Sequence, residues 1–387
     1  LKELLFTNVL EMVGSSFQSR FATYSILADG SLLVRVKGTI PGPHVAILTH
    51  VDTHPNNPGR ANPMYHQYKG GDIRLPVDGL VISAEDLAGL EGKTIITSDG
   101  SSLLGGDCKA GVVSAVQALI NLVTKVPDSV SVDFWFTVDE EIGVDNISVM
   151  PEEIVREWDV VWTVDGDEVG TIDVETMAGG KLVVEFTGMD AHPGDDGQNL
   201  HPAHYAAARL VDKLSKYPSP WNTSGRESFY YVSAIEEGNP NLTRVLVYPR
   251  SFDPAEIAKM ARMVHIHAFY AARRYRVNFS VADSGLIYTN TASAIRKHPE
   301  LLQPAVKAHH LVMGEKPKLQ SVRYGTDGST IAMYFTNLPA FNMGMSSRRV
   351  HSRQEFVVLE ELKILPEIIL RMIIGYGNIP WIIEIHP

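Results

Sequence analysis

A histidine and an aspartate two positions apart could form part of a metal site. His50 and Asp52 follow residues 45–48, whose four apolar side chains predict a short buried strand. Successive strand residues point to opposite faces, so the two polar side chains are expected to project the same way. A neutral imidazole can ligate a metal while a neighbouring carboxylate orients the ring. An ordinary strand-to-loop turn would contain the same residues, so this stretch alone leaves both interpretations open.

Four further stretches add acids and a second histidine near the ends of predicted elements. Asp107 opens an apolar helix predicted over residues 110–122, where a simple helix cap is the alternative interpretation. Three consecutive acids, a single acid and a histidine each come after a predicted strand: Asp139, Glu140 and Glu141; Asp165; and His351. Acids in such positions often belong to solvated loops, so each stretch by itself is weak evidence.

The elements around these residues alternate between strands and helices. Strands are predicted over residues 94–97, 130–138 and 160–164, and helices over residues 110–122 and 151–158. This order predicts an α/β sheet with helices on its faces. Ligand sites in such sheets lie at the carboxyl ends of the strands, so the two histidines and the carboxylates are expected to converge there.

A mixed set of imidazole and carboxylate groups has a preferred chemistry. It suits zinc, with cobalt or manganese as alternatives. Two adjacent metals need a bridging carboxylate, and one further acid could act as a base on a metal-held water. The pattern therefore predicts a metal site that is able to activate water.

The pattern of elements changes near residue 181. The order βαββαβ follows, which is the ferredoxin-like arrangement and fits a unit inserted into the α/β domain. Its predicted strands and helices cover residues 182–187, 202–214, 229–235, 243–248, 255–272 and 276–282. Three segments are therefore predicted: a first part of a catalytic domain over residues 1–180, a lid or dimerisation domain over 181–284, and the rest of the catalytic domain over 285–387.

Smaller expectations concern four other segments. Residues 2–12 have the pattern of a short amphipathic helix, and Asp29-Gly30 between two extended stretches indicates a hairpin. Residues 55–72 are rich in Pro, Asn and Gly and predict a long irregular loop. An amphipathic helix is predicted from Val357, and Pro366 should kink it or end its first segment.

Composition excludes several classes of partner. The net charge of −11 argues against nucleic acid or an anionic membrane as the main partner. No apolar run reaches the roughly 18 residues that are needed to span a bilayer. The single cysteine, Cys108, cannot form an intramolecular disulfide and favours a reducing compartment, so a cytoplasmic location is the default expectation.

Seven motifs in one order along residues 45–362 resemble those of a known family. They are His50-Val51-Asp52, Leu103-Leu104-Gly105 through Gly111, Asp139-Glu140-Glu141, Thr163-Val164-Asp165-Gly166, Ala191-His192-Pro193-Gly194, Gly325-Thr326-Asp327-Gly328, and His351 with Glu355-Phe356. The chain resembles the dinuclear-zinc aminopeptidases, aminoacylases and desuccinylases, and within them the tripeptide aminopeptidases. Each motif alone is weak, whereas all seven in order are strong evidence.

The resemblance implies a fold and a set of metal ligands. The fold is an α/β zinc-peptidase-like catalytic domain with a central mixed sheet flanked by helices, plus an inserted ferredoxin-like α+β lid. One of two zinc ions would be held by His50 and Asp165, and the other by Glu141 and His351. Asp107 would bridge the two ions.

The resemblance also implies roles for residues that do not bind metal. Asp52 would orient His50, and Glu140 would be the general base on the bridging water. The lid would form a homodimer, with His192 reaching the partner subunit's active site, and Arg250 would bind the C-terminal carboxylate of a peptide. The bond between Asp107 and the following residue would be cis.

The implied activity is the metal-dependent hydrolysis of short peptides with release of the N-terminal residue. Two alternatives stay open. The first is a dinuclear hydrolase of N-acyl amino acids or dipeptides, and the second is a non-catalytic binding protein with the same fold. Cys108 stands where the tripeptide aminopeptidases have a second aspartate, and Asp167-Glu168 replaces small residues near the expected pocket rim.

Overall fold

A computed structural model of the chain describes residues 22–56, 58–143, 150–239 and 241–377. The chain folds into two compact units. The first comprises Leu1–Val174, Thr291–Gln320 and Thr326–Pro387, and the second comprises Glu175–Asn290 and Ser321–Gly325. The insert predicted over residues 181–284 lies within the second unit. The helix predicted over residues 2–12 lies outside the described residues.

The strands and helices are numbered along the chain. The strands are β1 (Ala22–Ile26), β2 (Leu32–Val36), β3 (Val45–His50), β4 (Met64–Gln67), β5 (Ile73–Arg74), β6 (Val81–Ile82), β7 (Thr94–Thr97), β8 (Val132–Thr137), β9 (Val160–Gly166), β10 (Thr171–Thr176), β11 (Ala178–Thr187), β12 (Phe229–Asn239), β13 (Leu242–Ser251), β14 (Asn278–Tyr288), β15 (Lys318–Val322), β16 (Ala340–Gly344), β17 (Ser347–Arg348) and β18 (Phe356–Val358). The α-helices are α1 (Gly106–Lys125), α2 (Glu152–Val155), α3 (Ala203–Leu214), α4 (Pro254–Tyr275), α5 (Ala292–Ile295), α6 (Gln303–Met313), α7 (Asp327–Tyr334) and α8 (Leu359–Tyr376).

A central eight-stranded sheet has the strand order β1-β2-β8-β3-β9-β16-β10-β15. Its middle strands β8, β3, β9 and β16 are parallel, whereas the pairs β1–β2, β2–β8 and β10–β16 are antiparallel. Every residue of β3 and β8 is buried, as expected for strands that are covered on both faces. The predicted mixed sheet flanked by helices is therefore confirmed.

Alternate residues of β3 belong to different hydrophobic clusters because successive side chains point to opposite faces. Val45 and Ile47 pack in the cluster that contains the buried residues of α1 and α8. Ala46 and Leu48 pack in a second cluster with Val155 of α2. This double cover explains why the strand has a continuous apolar sequence.

Three local predictions were wrong. The irregular loop predicted over residues 55–72 contains β4, which pairs with β7 in a separate sheet of order β17-β18-β7-β4. The mixed sequence of β4, Met64-Tyr65-His66-Gln67, gives no alternating apolar signal, so its pairing with β7 defines it as a strand. Val357 lies in β18, and the helix predicted from that residue begins two residues later as α8 and continues through Pro366, so Pro366 does not end it. The helix predicted over residues 151–158 is the single turn α2.

The second unit has the order β11-α3-β12-β13-α4-β14, and its sheet has the strand order β12-β13-β11-β14. This is the predicted ferredoxin-like arrangement. Leu182 and Phe186 of β11 pack with Leu210 of α3 and Val264 of α4, so both helices share one hydrophobic cluster with the sheet. No helix in the described part of the chain is long and apolar enough to cross a membrane.

Candidate metal centre

The candidate residues lie at strand ends and in the segments that follow them, at one edge of the central sheet. The parallel strands β8, β3 and β9 are neighbours, so their carboxyl ends meet at the same edge. Strand β3 ends at His50, β9 contains Asp165, and the 3-10 helix Glu140–Ile142 follows β8. Asp107 lies at the start of α1, and His351 lies between β17 and β18.

Asp107 lies between the two histidines. Its Oδ1 atom is 3.0 Å from His50 Nε2, and its Oδ2 atom is 3.1 Å from His351 Nε2. The two oxygens of one carboxylate therefore face two imidazoles from distant parts of the chain. This is the arrangement that a bridging carboxylate requires.

Asp165 and Glu141 complete the two halves of the cluster. Asp165 Oδ1 is 3.3 Å from His50 Nε2, and Glu141 Oε2 is 2.9 Å from His351 Nε2. Ligand atoms of His50, Asp107 and Glu141 all lie within 4.8 Å of one another. The structure thus brings together all five residues predicted as metal ligands, and their role as ligands stays a prediction.

The electrostatics of the cluster favour a cation. Glu141 Oε1 is buried and has no hydrogen-bond partner among the described residues, so an acceptor oxygen is available. Burial raises the pKa of Asp165 to about 7 and raises the pKa of Glu140 well above its usual range. A divalent cation would offset the cost of burying these carboxylates as charges. Imidazole nitrogens and carboxylate oxygens are donors that zinc takes in proteins, so the residues present fit the implied metal pair.

His351 is held in an unusual state. Burial alone would lower its pKa, but the hydrogen bonds to Asp107 and Glu141 raise the pKa of His351 to about 10. The same contacts with His351 and with His50 hold the pKa of Asp107 below its usual range, although burial acts against them. The His351 backbone has φ of +62°, a left-handed conformation that costs roughly 1–3 kcal/mol in a residue with a side chain. The two carboxylates therefore favour the protonated form of the His351 ring over the neutral form.

Asp52 contacts the His50 ring that it was predicted to orient, and it also contacts the backbone of the segment after β8. Its Oδ1 atom is 3.4 Å from His50 Nδ1, as that role requires. Its two carboxylate oxygens also accept hydrogen bonds from the backbone N–H groups of Glu140 and Glu141, at 3.2 Å and 3.1 Å. One side chain therefore positions a predicted ligand and the segment that contains the predicted base.

Cys108 is a buried thiol beside the cluster. The Asp107–Cys108 peptide bond is cis, as the family resemblance implied. The Cys108 thiol donates to the Val164 carbonyl at 2.9 Å, and its Sγ atom is 3.0 Å from Thr49 Oγ1. Burial raises the pKa of Cys108 well above its usual range, so the protonated thiol is the stable form. Its sulfur also lies within 4.8 Å of ligand atoms of His50 and Asp165.

Sequence reasoning assigned no role to two further residues at this edge. The half-buried His54 stacks on His351 with 4.1 Å between ring centroids and 24° between ring planes. Asp327 is buried and accepts a hydrogen bond of 2.6 Å from Thr137 Oγ1, and burial raises its pKa to about 6. The sequence contains a signal for each of them. His54 lies two positions after Asp52, and Asp327 lies in the Gly-Thr-Asp-Gly motif.

The other two predicted site residues lie in the second unit. His192 is exposed, and its Nδ1 atom accepts backbone N–H groups from Gly194 and Asp195, each at 3.2 Å. Arg250 lies in β13, and its guanidinium lies 4.8 Å from the centroid of the Tyr288 ring. The roles of His192 and Arg250 in binding substrate stay predictions.

The sequence pattern of peptidase family M20/M25/M40 matches residues 105–374. The chain belongs to this family. Peptidase T of Escherichia fergusonii is 30% identical over 354 residues, which cover 89% of this chain and 85% of that protein. The predicted family and the predicted class, a metallo-aminopeptidase, are confirmed.

Solved structures share the fold. The aminopeptidase PepT from Bacillus cereus superposes with a TM-score of 0.66 at 20% identity, covering 96% of this chain and 98% of that one. A dinuclear-metal-binding peptidase of family M20 from Bacillus subtilis gives a TM-score of 0.57 at 14% identity, covering 96% of this chain and 92% of that one. Both likenesses show that this chain shares the fold of these peptidases.

Proposed function

We propose that the protein is a dinuclear zinc aminopeptidase that releases the N-terminal residue of tripeptides and similar short peptides. The observation that supports this most strongly is the position of the Asp107 carboxylate between His50 and His351. The 30% identity to a protein named Peptidase T supports the choice of a tripeptide substrate.

The proposed ligands divide into two sets that share Asp107. His50 and Asp165 would hold one ion, and Glu141 and His351 would hold the other. A metal pair held by these residues would supply Lewis acidity toward a scissile carbonyl and would lower the pKa of a bound water toward about 7. Zinc suits the mixed nitrogen and oxygen donors, with cobalt or manganese as alternatives.

Glu140 is proposed to move the proton. Burial raises the pKa of its carboxylate well above the usual range, so this group holds a proton more strongly than an exposed glutamate does. The Asp52 carboxylate fixes the Glu140 backbone through the N–H group. A Glu140 carboxylate oxygen would take a proton from the attacking water and pass it to the leaving amine.

Residues of the second unit are proposed to bind the peptide's far end. The Arg250 guanidinium would pair with the C-terminal carboxylate, for which its planar donors are suited. The exposed ring of His192 would reach the partner subunit's active site, where an imidazole N–H could donate to the substrate carbonyl.

A homodimer through the inserted unit is part of this proposal. If His192 acts across subunits, mixed dimers of His192→Ala and Glu140→Gln chains contain one complete active site. Mixing the two inactive variants should therefore restore measurable peptide hydrolysis. A wild-type enzyme that is active and strictly monomeric in sedimentation would exclude this arrangement. The single cysteine favours a cytoplasmic location, which we propose for the enzyme.

A comparison of substrates tests the proposed reaction. The zinc-loaded enzyme should hydrolyse tripeptides with a free α-amino group and release their first residue. The N-acetylated forms of the same peptides should be poor substrates. Turnover restricted to N-blocked amino acids or to dipeptides would favour the other dinuclear hydrolases that the sequence left open.

A further inference from the structure

Glu355 is a buried carboxylate that points at the backbone of the Asp107 segment. The residue is 1% exposed. Its Oε2 atom accepts the Gly105 N–H at 2.7 Å, and its Oε1 atom accepts the Asp107 N–H at 2.8 Å. The Ser347 hydroxyl donates to Oε1 at 3.0 Å. All three partners are donors, so both carboxylate oxygens of Glu355 must act as acceptors.

The chain bends closely around this carboxylate. Gly105 has φ of +76°, a left-handed conformation that favours glycine. A Cβ atom added to Gly106 would lie 2.7 Å from Ser347 Oγ and 3.1 Å from Glu355 Oε1, so a side chain there would displace its neighbours. Backbone N–H groups that converge in this way form an anion-binding concavity. Glu355 fills that concavity from another part of the chain.

The same residue belongs to the segment that contains His351. The Glu355 N–H donates to the carbonyl of Ser352, the residue after His351, at 3.1 Å. Glu355 therefore connects the two segments whose side chains meet where His351 Nε2 lies 3.1 Å from Asp107 Oδ2.

We infer that Glu355 is a positioning residue of the metal centre, which sets the direction of the Asp107 carboxylate by holding the Gly105–Asp107 backbone. The inference rests on the proposed function in that Asp107 is taken as the bridging ligand. Glu355 touches neither the proposed metals nor the substrate. It acts by fixing the backbone from which the bridging side chain projects.

The Glu355→Gln variant tests the inference because it keeps the size of the side chain and removes one acceptor. A glutamine offers one oxygen and one NH₂ group, so one of the three donors would face another donor. Mutation of a residue that holds a metal ligand in place typically lowers metal affinity by about 10–100-fold. We therefore expect zinc affinity, measured by competition with a chelator, to fall by about 10–100-fold for at least one of the two ions.

A matched control is available at Glu360. Its carboxylate also accepts a backbone N–H and a hydroxyl, both from Thr94, at 2.9 Å and 3.0 Å. Glu360 contacts none of the proposed ligands. The Glu360→Gln variant should keep zinc affinity within about twofold of wild type, since a change at this position removes similar contacts without touching the Asp107 segment.

A second measurement separates positioning from a purely structural role. The visible absorption spectrum of the cobalt-loaded protein reports ligand geometry, and it should change in Glu355→Gln but stay the same in Glu360→Gln. If Glu355→Gln does not fold, Glu355→Asp replaces it, because the shorter acid keeps the charge but cannot reach both N–H groups. We expect the same losses in that variant.

A folded Glu355 variant with wild-type zinc affinity and a wild-type cobalt spectrum would overturn the inference, even if its melting temperature were lower. A different result would exclude the proposed function. Wild-type protein that binds two zinc ions but hydrolyses no peptide would exclude the peptidase activity and leave the role of Glu355 intact.

Discussion

The carboxylate of Asp52 accepts a hydrogen bond of 3.2 Å from the backbone N–H of Glu140. The same carboxylate lies 3.4 Å from the ring of His50, so Asp52 joins a proposed ligand to the proposed base. The sequence motif accounts only for the contact with His50, because the contact with Glu140 depends on the loop after a neighbouring strand. The metals and the base are therefore expected to respond together to changes at Asp52.

Asp52→Asn should lower both metal affinity and turnover. The amide supplies one acceptor in place of two, so one backbone N–H at Glu140 or Glu141 would face a donor. We expect about 10–100-fold weaker zinc binding and a lower kcat when the enzyme is saturated with zinc. Asp99→Asn is the control, since the partly exposed Asp99 also accepts a backbone N–H, that of Ser101, and is none of the proposed ligands. Loss of turnover at unchanged zinc affinity would limit Asp52 to orienting the base.

Glu140→Gln should retain two zinc ions per chain and lose most of its turnover. The amide has nearly the same shape but cannot take up a proton, and a general base typically contributes about 10²–10⁴-fold. Elemental analysis and kcat for a tripeptide, measured on the same preparation, check both parts. Wild-type turnover in the zinc-loaded variant would remove Glu140 from the role of base.

Metal binding should release protons. Hydrogen bonds to Asp107 and Glu141 outweigh burial and raise the pKa of His351 to about 10, so the ring is protonated in the metal-free protein at neutral pH. A metal ligand must be neutral imidazole, so the bound state has lost that proton. Zinc affinity is then expected to rise with pH below about 10. Calorimetry in two buffers of different ionisation enthalpy, between about pH 6 and 8, should detect at least one proton released per chain. Affinity that is independent of pH would contradict this electrostatic description.

Tyr376→Phe should destabilise the first unit without affecting the metals. The Tyr376 hydroxyl accepts the Trp162 indole N–H at 2.9 Å and donates to the Leu301 carbonyl at 2.5 Å. Removing it leaves two polar groups without this partner, which should lower the free energy of unfolding by about 1–3 kcal/mol. Urea unfolding measures the change, and Tyr65→Phe is the control because Tyr65 is 66% exposed. Equal stabilities of the two variants would show that these hydrogen bonds contribute little.

The sequence predicts the centre of the fold well because its signals are local. The four apolar residues before His50 indicate a strand that is covered on both faces, and the structure has that strand as β3. The order βαββαβ likewise predicts the second unit, since each of its elements shows its own periodicity.

Contacts between distant segments could not be predicted in this way. Strand β4 has a mixed sequence without an apolar alternation and is defined by its pairing with β7. The contacts of Glu355 with Gly105 and Asp107 join segments about 250 positions apart, which no spacing rule detects. The ligand residues were predicted only through the resemblance of the ordered motifs to a family. The distances between these residues could be known only from the folded structure.

Anomalous diffraction from crystals of the zinc-loaded protein would locate the bound metals directly. We expect two zinc peaks roughly 3.5–4 Å apart, the usual separation in two-metal sites. One peak should lie beside His50 and Asp165, the other beside Glu141 and His351, and the Asp107 carboxylate should contact both. A single peak, or two peaks of which only one contacts Asp107, would contradict the proposed pair of metals bridged by Asp107.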